Sequence, residues 1–262
     1  MENKTVPSKL NVLLSRWPKG TVVVQKWLSS LGISRQLAEG YRRSGWIQRV
    51  GGGAYARIGD KVDWLGGVYA LQSQMDLPVR VGAKTALELQ GYAHFLPLGK
   101  GGSVHLFSSP GQRLPAWFLR HEWESKVQYH ATGLFSGRSD AGFAEKTIGE
   151  YSVRLSAPER AALELVSLVP QKESFEGARL LLEGLVTLRP ELVQELLEGC
   201  RLIKAKRLFL FLAEECEHPW VQKLDLSKID LGSGKRSIVT GGHLNAKYQI
   251  TVPGVSRAEK GA

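Results

Sequence analysis

The chain has 262 residues, 43% of them apolar, and a formal charge of +10 at neutral pH, a composition that excludes a disordered chain and suits one large domain or two to three smaller ones. No apolar run approaches the roughly 18 residues of a membrane span, and the polar start MENKTVPSK has no signal-peptide core. Cys200 and Cys216 lack the CxxC spacing of a zinc site or a disulfide framework, so reduced thiols, a cytoplasmic location and no metal are expected.

The charge is unevenly placed. Residues 1–60 hold ten Lys and Arg against three acidic residues, a net of +7. A polyanion is the simplest partner for such a segment, because basic side chains that neutralise phosphates release counterions. A solvated basic surface fits the charge equally well, and only local structure separates the two.

From Ser8 to Trp17 the residues Leu10, Val12, Leu13, Leu14 and Trp17 form a helical stripe, which Pro18-Lys19-Gly20 stops. Thr21 is the expected cap of a second helix, with Val24, Trp27, Leu28 and Leu31 inward and Gln25, Lys26 and Ser29 outward. Gly32 ends it and Ser34 caps a third. On the third helix Leu37, Ala38 and Tyr41 face a small core, and Gln36, Glu39 and Arg43 face away, flanked by Arg35, Gly40 and Arg42. Arg reads guanine edges and Gln adenine edges, and a glycine at position 40 lets the helix backbone come close to a groove wall. Two alternating runs, Trp46–Val50 and Ala54–Ile58, joined by Gly51-Gly52-Gly53, then predict a β-hairpin that places Arg49 and Arg57 beside the presumed DNA backbone. Helix, turn, helix and hairpin in that order predict a winged helix-turn-helix, whose second helix enters the major groove. An ordinary solvated helix face and a plain hairpin are the alternative.

Residues 61–155 read as a mixed α/β segment. Helices are expected over DWLGGVYALQSQM from Asp63 and at Lys84–Gln90. Strand-like runs lie at 79–81, 103–108, AWFLR at 116–120, 126–131 and 151–155, and GKGG at 99–102 reads as a turn. Glu124-Ser125-Lys126 has the E-x-K spacing of metal-dependent nucleases, without an acidic partner on an earlier strand, and a nuclease using Glu124 and Lys126 is the enzyme alternative. His105, His121 and His130 show no ligand spacing and read as single polar or packed histidines, and 137–142 reads as a solvated loop.

Residues 156–262 read as mainly helical. Ser156-Ala157-Pro158-Glu159 looks like a capped helix start, followed by helices at 175–188, 190–197 and about 201–217. The last is expected to turn Leu202, Ile203, Leu208, Phe209, Leu212 and Ala213 inward and Lys204, Lys206 and Arg207 outward. A small terminal β-element, Ser237–Thr240 paired with Tyr248–Val252, and a frayed tail at 254–262 complete an α+β fold with a C-terminal helical bundle. The expected domains are 1–60 and 61–262.

Four blocks, GISRQLAEGYRRSGWIQRVGGGAYAR, RVGAKTALELQGYAHFLPLG, LSAPERAALEL and HPWVQKLDLSKIDLGSGKRSIV with YQITVP, together make the chain resemble the AbiEi family of bacterial antitoxins over nearly its whole length. The resemblance implies a type IV toxin-antitoxin system tied to abortive phage infection. It also implies an N-terminal winged helix bound to operator inverted repeats in double-stranded DNA, and a C-terminal region that supports repression and neutralisation. The implied toxin is a nucleotidyltransferase countered without a stable complex, direct toxin binding being the alternative. Ser34, Arg35, Gln36, Arg42 and Arg43 are the implied helix contacts and Arg49, Gly52 and Arg57 the wing contacts, with Lys26 on the preceding helix counted beside them. No catalytic residue and no cofactor is implied.

Overall fold

The structure is a computed structural model, and its described residues are 8–92, 102–136 and 141–253. Most of the GKGG turn, most of the 137–142 loop, the tail from 254 and the first seven residues lie outside them. The elements are α1 (Lys9–Arg16), β1 (Val23–Val24), α2 (Gln25–Ser30), α3 (Arg35–Arg43), β2 (Ile47–Gly51), β3 (Ala54–Arg57), α4 (Trp64–Tyr69) running into a π-helical turn (Ala70–Gln74), β4 (Arg80–Val81), α5 (Ala83–Leu89), β5 (Ser103–Ser108), α6 (Ala116–Arg120), β6 (Lys126–Ala131), β7 (Phe143–Ile148) and β8 (Tyr151–Ser156). The helices α7 (Pro158–Ser167), α8 (Phe175–Glu183), α9 (Pro190–Gly199) and α10 (Ile203–Glu215) follow, then two 3-10 turns and the short strands β9 (Arg236–Ser237), β10 (His243–Asn245) and β11 (Ile250–Val252). The class is α+β, as the sequence implies.

Two compact units divide the described residues. The first takes those within Met1–Val81, Leu98–Thr132 and Glu145–Arg154, and the second those within Gly82–Pro97, Gly133–Ala144 and Leu155–Ala262.

In the first unit, α1, α2, α3 and the hairpin enclose Leu13, Trp17, Val23, Leu28, Ile33, Ala38, Ile47 and Tyr55, with Leu37 and Tyr41 packed against them as the helical spacing of α3 requires. Thr21 does not cap α2. It is buried and its Oγ1 donates to the Pro18 carbonyl at 2.7 Å, because the β-branched run after it forms β1, an edge strand antiparallel to β3. That edge is closed by Gln74, whose Oε1 accepts from the Val24 amide at 2.9 Å and whose Nε2 donates to the Val22 carbonyl at 3.2 Å. The helix therefore starts at Gln25, whose amide donates to the Gly53 carbonyl at 2.8 Å.

The same unit carries most of a five-stranded sheet in the order β6-β5-β4-β8-β7, with β5 and β6 parallel. Strand β7 escaped the sequence reading because the apolar residues of FAEKTI do not alternate with the polar ones. The AWFLR segment is a helix, α6: Trp117 and Phe118 are both buried and Leu119 and Arg120 both exposed, which a two-residue period cannot give. His105 and His130 are not isolated. Their rings stack inside the sheet with Nδ1 of one and Nε2 of the other 3.0 Å apart.

In the second unit α7 starts at Pro158, and Ser156 does not cap it. The Ser156 hydroxyl donates instead to the buried carboxylate of Glu164 at 2.8 Å, which also accepts from the Ala83 amide at 3.1 Å. Glu159 pairs with Arg189 at 2.9 Å. In α10 the expected outward cations Lys206 and Arg207 are buried, whereas Leu202, just before the helix, is exposed. Lys206 Nζ donates to the Asp230 carbonyl at 2.9 Å, and Arg207 donates to the carbonyls of Leu231 at 2.7 Å, Gly232 at 3.0 Å, Gly234 at 2.6 Å and Gln249 at 3.3 Å. The polar C-terminal segment wraps over this face of α10, so the basic residues supply donors to its turns. Its sheet has three strands in the order β10-β11-β9, one more than the sequence indicates, with β9 parallel to β11.

Candidate nucleic-acid interface

Helix α3 begins at Ser34, whose Oγ accepts from the Leu37 amide at 3.2 Å. Its buried side is Ala38, so Ser34, Arg35, Gln36, Arg42 and Arg43 all lie exposed along its other faces. Lys26 is exposed on α2, Arg49 on β2 and Gly52 at the hairpin tip, where Gly53 takes a φ of +74° to close the turn. Three of these residues meet. Arg35, Arg49 and Gly52 line one notch of about 430 Å³ with Gln25, Glu39, Gly53 and Tyr55. Neither Arg35 nor Arg49 has a carboxylate within ion-pair distance among the described residues.

Glu39, which reaches this notch, is engaged from the other end of α3. Glu39 binds Arg42 at 2.6 Å and approaches Arg43 at 3.5 Å. The hydrogen bond from Arg42, the attraction of both guanidiniums and the bond from Arg43 outweigh desolvation and hold the Glu39 carboxyl down at about 2, and Arg42 is raised in return. The pairs are exposed, so they add little to stability. Their effect is to place a carboxylate on the face that the helix presents.

Arg57, placed on the wing by the sequence, is largely buried. It lies 5.6 Å above the Trp17 ring and 4.0 Å from Asp60, and its Nε has no hydrogen-bond acceptor among the described residues. Gln25 was missed. Its Nε2 donates to the Ile33 carbonyl at 3.1 Å, while its buried Oε1 has no donor among the described residues. Its outward helical position was visible in the sequence, but its place in the notch depends on how the hairpin folds back over α2.

Sequence models of the family described as "Transcriptional regulator, AbiEi antitoxin N-terminal domain" match residues 6–98, and those described as "Transcriptional regulator, AbiEi antitoxin, Type IV TA system" match residues 101–253. The chain belongs to the AbiEi antitoxin family. Its fold is similar to that in the crystal structure of RV2827C protein from Mycobacterium tuberculosis, with a TM-score of 0.59 and 17% identity over 95% of this chain and 92% of that one. No curated protein matches the chain. The family is thus one of transcriptional regulators and type IV antitoxins, and α1, α2, α3 and the hairpin all fall inside the AbiEi N-terminal match.

Elsewhere in this AbiEi chain, Glu124 and Lys126 do not converge on a metal site. Glu124 is exposed and paired with Lys61 at 3.2 Å, and no group of three or more His, Cys, Asp or Glu stands at metal-holding distance among the described residues. Cys200 is buried and Cys216 half-buried, and burial pushes both thiols above their ordinary range. Among the described residues no helix is long and apolar enough to cross a membrane.

Proposed function

We propose that the chain binds double-stranded DNA through a winged helix-turn-helix made of α2, α3 and the β2–β3 hairpin, and that it represses its own operon from inverted repeats. The observation that carries this reading is the meeting of Arg35 and Arg49, neither with a carboxylate within ion-pair distance among the described residues, at a notch that the exposed Gly52 and the Arg42-bound Glu39 also line. Guanidiniums without a carboxylate are ready to bind phosphate oxygens, and a glycine tip lets the main chain come close to them. On this reading α3 lies in the major groove. Gln36 and Arg43 read bases, and Ser34, Arg35, Arg42 and Lys26 hold the backbone, with Arg49 and Gly52 doing so from the wing. Arg57 acts mainly by bracing the hairpin on Trp17 and Asp60. One winged helix covers a half-site, so an inverted repeat takes two copies.

Residues 61–262, with a mixed part to 155 and a helical part beyond it, form the antitoxin region of this proposal. It acts in the cytoplasm, catalyses no reaction and counters a nucleotidyltransferase toxin without a stable complex. Affinity for the DNA upstream of the chain's own gene tests the DNA reading. Arg43→Ala is expected to cost about 1–3 kcal/mol on a specific site. Unchanged affinity in the double variant Arg42→Ala, Arg43→Ala would overturn the placement of α3 in the groove. Co-purification of the toxin with the full chain would overturn action without a stable complex.

A further inference from the structure

Gly52 also lines a second notch, of about 290 Å³, between the end of β2 and α6. The two elements touch at main-chain level. A Cβ on Gly51 would stand 2.7 Å from the Trp117 Cβ and 2.9 Å from its Cα, so only glycine fits there. Trp117 and Phe118 root α6 in the interior of the first unit, and this orients Ala116, Leu119 and Arg120 to solvent. Arg120 lines the notch together with Gly52 and has no carboxylate within ion-pair distance among the described residues. Of the nearby acids, Glu124 is engaged by Lys61, and Glu122 is exposed.

We propose that α6 is a third DNA-contacting element, in which Arg120 holds a backbone phosphate next to the one taken by the hairpin. This rests on the DNA-binding reading above and adds to it a contact outside residues 1–60. The partner is the sugar-phosphate backbone. Gly52 lines both notches, so the hairpin tip stands between the one that holds Arg49 and the one that holds Arg120, and α6, five residues long with Trp117 and Phe118 buried, is too short to enter a groove. A backbone contact is blind to sequence, which sets Arg120 apart from the residues of α3.

The test measures affinity of the full chain for its upstream DNA and for a random-sequence duplex across a series of salt concentrations. Arg120→Ala is expected to weaken both duplexes about tenfold, as for one charge-assisted contact. It should lower the slope of log affinity against log salt by roughly 0.9. Arg120→Glu should weaken both further, and Arg43→Ala only the upstream DNA. Unchanged affinity and slope in Arg120→Ala, with Arg49→Ala reduced in both, would overturn the α6 contact and leave the winged-helix reading standing. Absence of binding to either duplex by the unaltered chain would overturn both. Circular dichroism of each variant separates lost contact from lost fold.

Discussion

Replacing Gly40 by alanine should make the protein more stable and a poorer DNA binder. Gly40 lies inside α3, and a Cβ built on it meets nothing within 4 Å. Nor does it take a positive φ, so no feature of the folded chain requires glycine there. Glycine inside a helix is less favourable than alanine by about 0.5–1 kcal/mol, and Gly40→Ala should recover that amount as a raised unfolding free energy in urea titration. On DNA the sign reverses. If α3 lies in the major groove with its backbone against the wall, the new methyl overpacks a close contact and costs about 1 kcal/mol or more, a loss of roughly fivefold or greater. Fluorescence anisotropy with a labelled upstream duplex reads this directly. A variant that is stabilised and binds as tightly as the parent would refute the close approach at this position. A destabilised variant would refute the premise that the fold makes no use of the missing side chain.

Glu39→Gln should raise affinity for DNA of any sequence, because Glu39 is the acid that engages Arg42 and Arg43 on the exposed side of α3; equal or weaker binding at low salt would count against that face meeting phosphate. Arg207→Ala should cost at least about 3 kcal/mol, since it strips four carbonyls of a buried donor, and limited proteolysis should then cut within residues 230–252 first. Burial raises the Glu159 carboxyl, but the side-chain and backbone hydrogen bonds of Arg189 more than offset it, so the folded value lies below the ordinary one. Its contribution is complete above the ordinary carboxylate range and disappears as pH falls through the depressed value. Acid-unfolding curves of Glu159→Gln should accordingly be flatter than the parent's below about pH 4.5, the unperturbed value.

Fold elements were legible where a single face is buried. The stripe of α1 and the inward Leu37, Ala38 and Tyr41 of α3 follow helical spacing because each helix packs one side on a small core. Periodicity misled where tertiary partners decide. Val22–Val24 reads as the first turn of a helix until the hairpin offers β3 as a partner, and Gln74, fifty residues away from Val24, completes the pairing. The α10 cations show the same limit for charge. Lys206 and Arg207 have the spacing of a solvated face, but the turns that cover them present a row of carbonyls, and a buried cation is tolerated where its donors are satisfied.

At the candidate site, local sequence identified which residues are exposed better than which are free. All of Arg35, Arg42, Arg43 and Arg49 reach solvent, yet Arg42 and Arg43 share Glu39 whereas Arg35 and Arg49 have no carboxylate within ion-pair distance among the described residues. Glu39 stands three and four residues before Arg42 and Arg43 but four after Arg35, and an acid N-terminal to its base is the better-disposed order, so spacing and direction together favour the pairing seen. The fate of Arg57 was not legible in the sequence, because it depends on the ring of Trp17, just after α1 and forty residues earlier, folding under the hairpin. Nor was the contact between Gly51 and Trp117, residues 66 positions apart whose backbones nearly touch. A hairpin held at its tip by α6 loses little conformational freedom when it meets a partner, so a rigidly mounted wing binds with less entropic cost than a free one. If the hairpin meets DNA as proposed, the packing of the buried Trp117 against Gly51 contributes to affinity without touching the ligand.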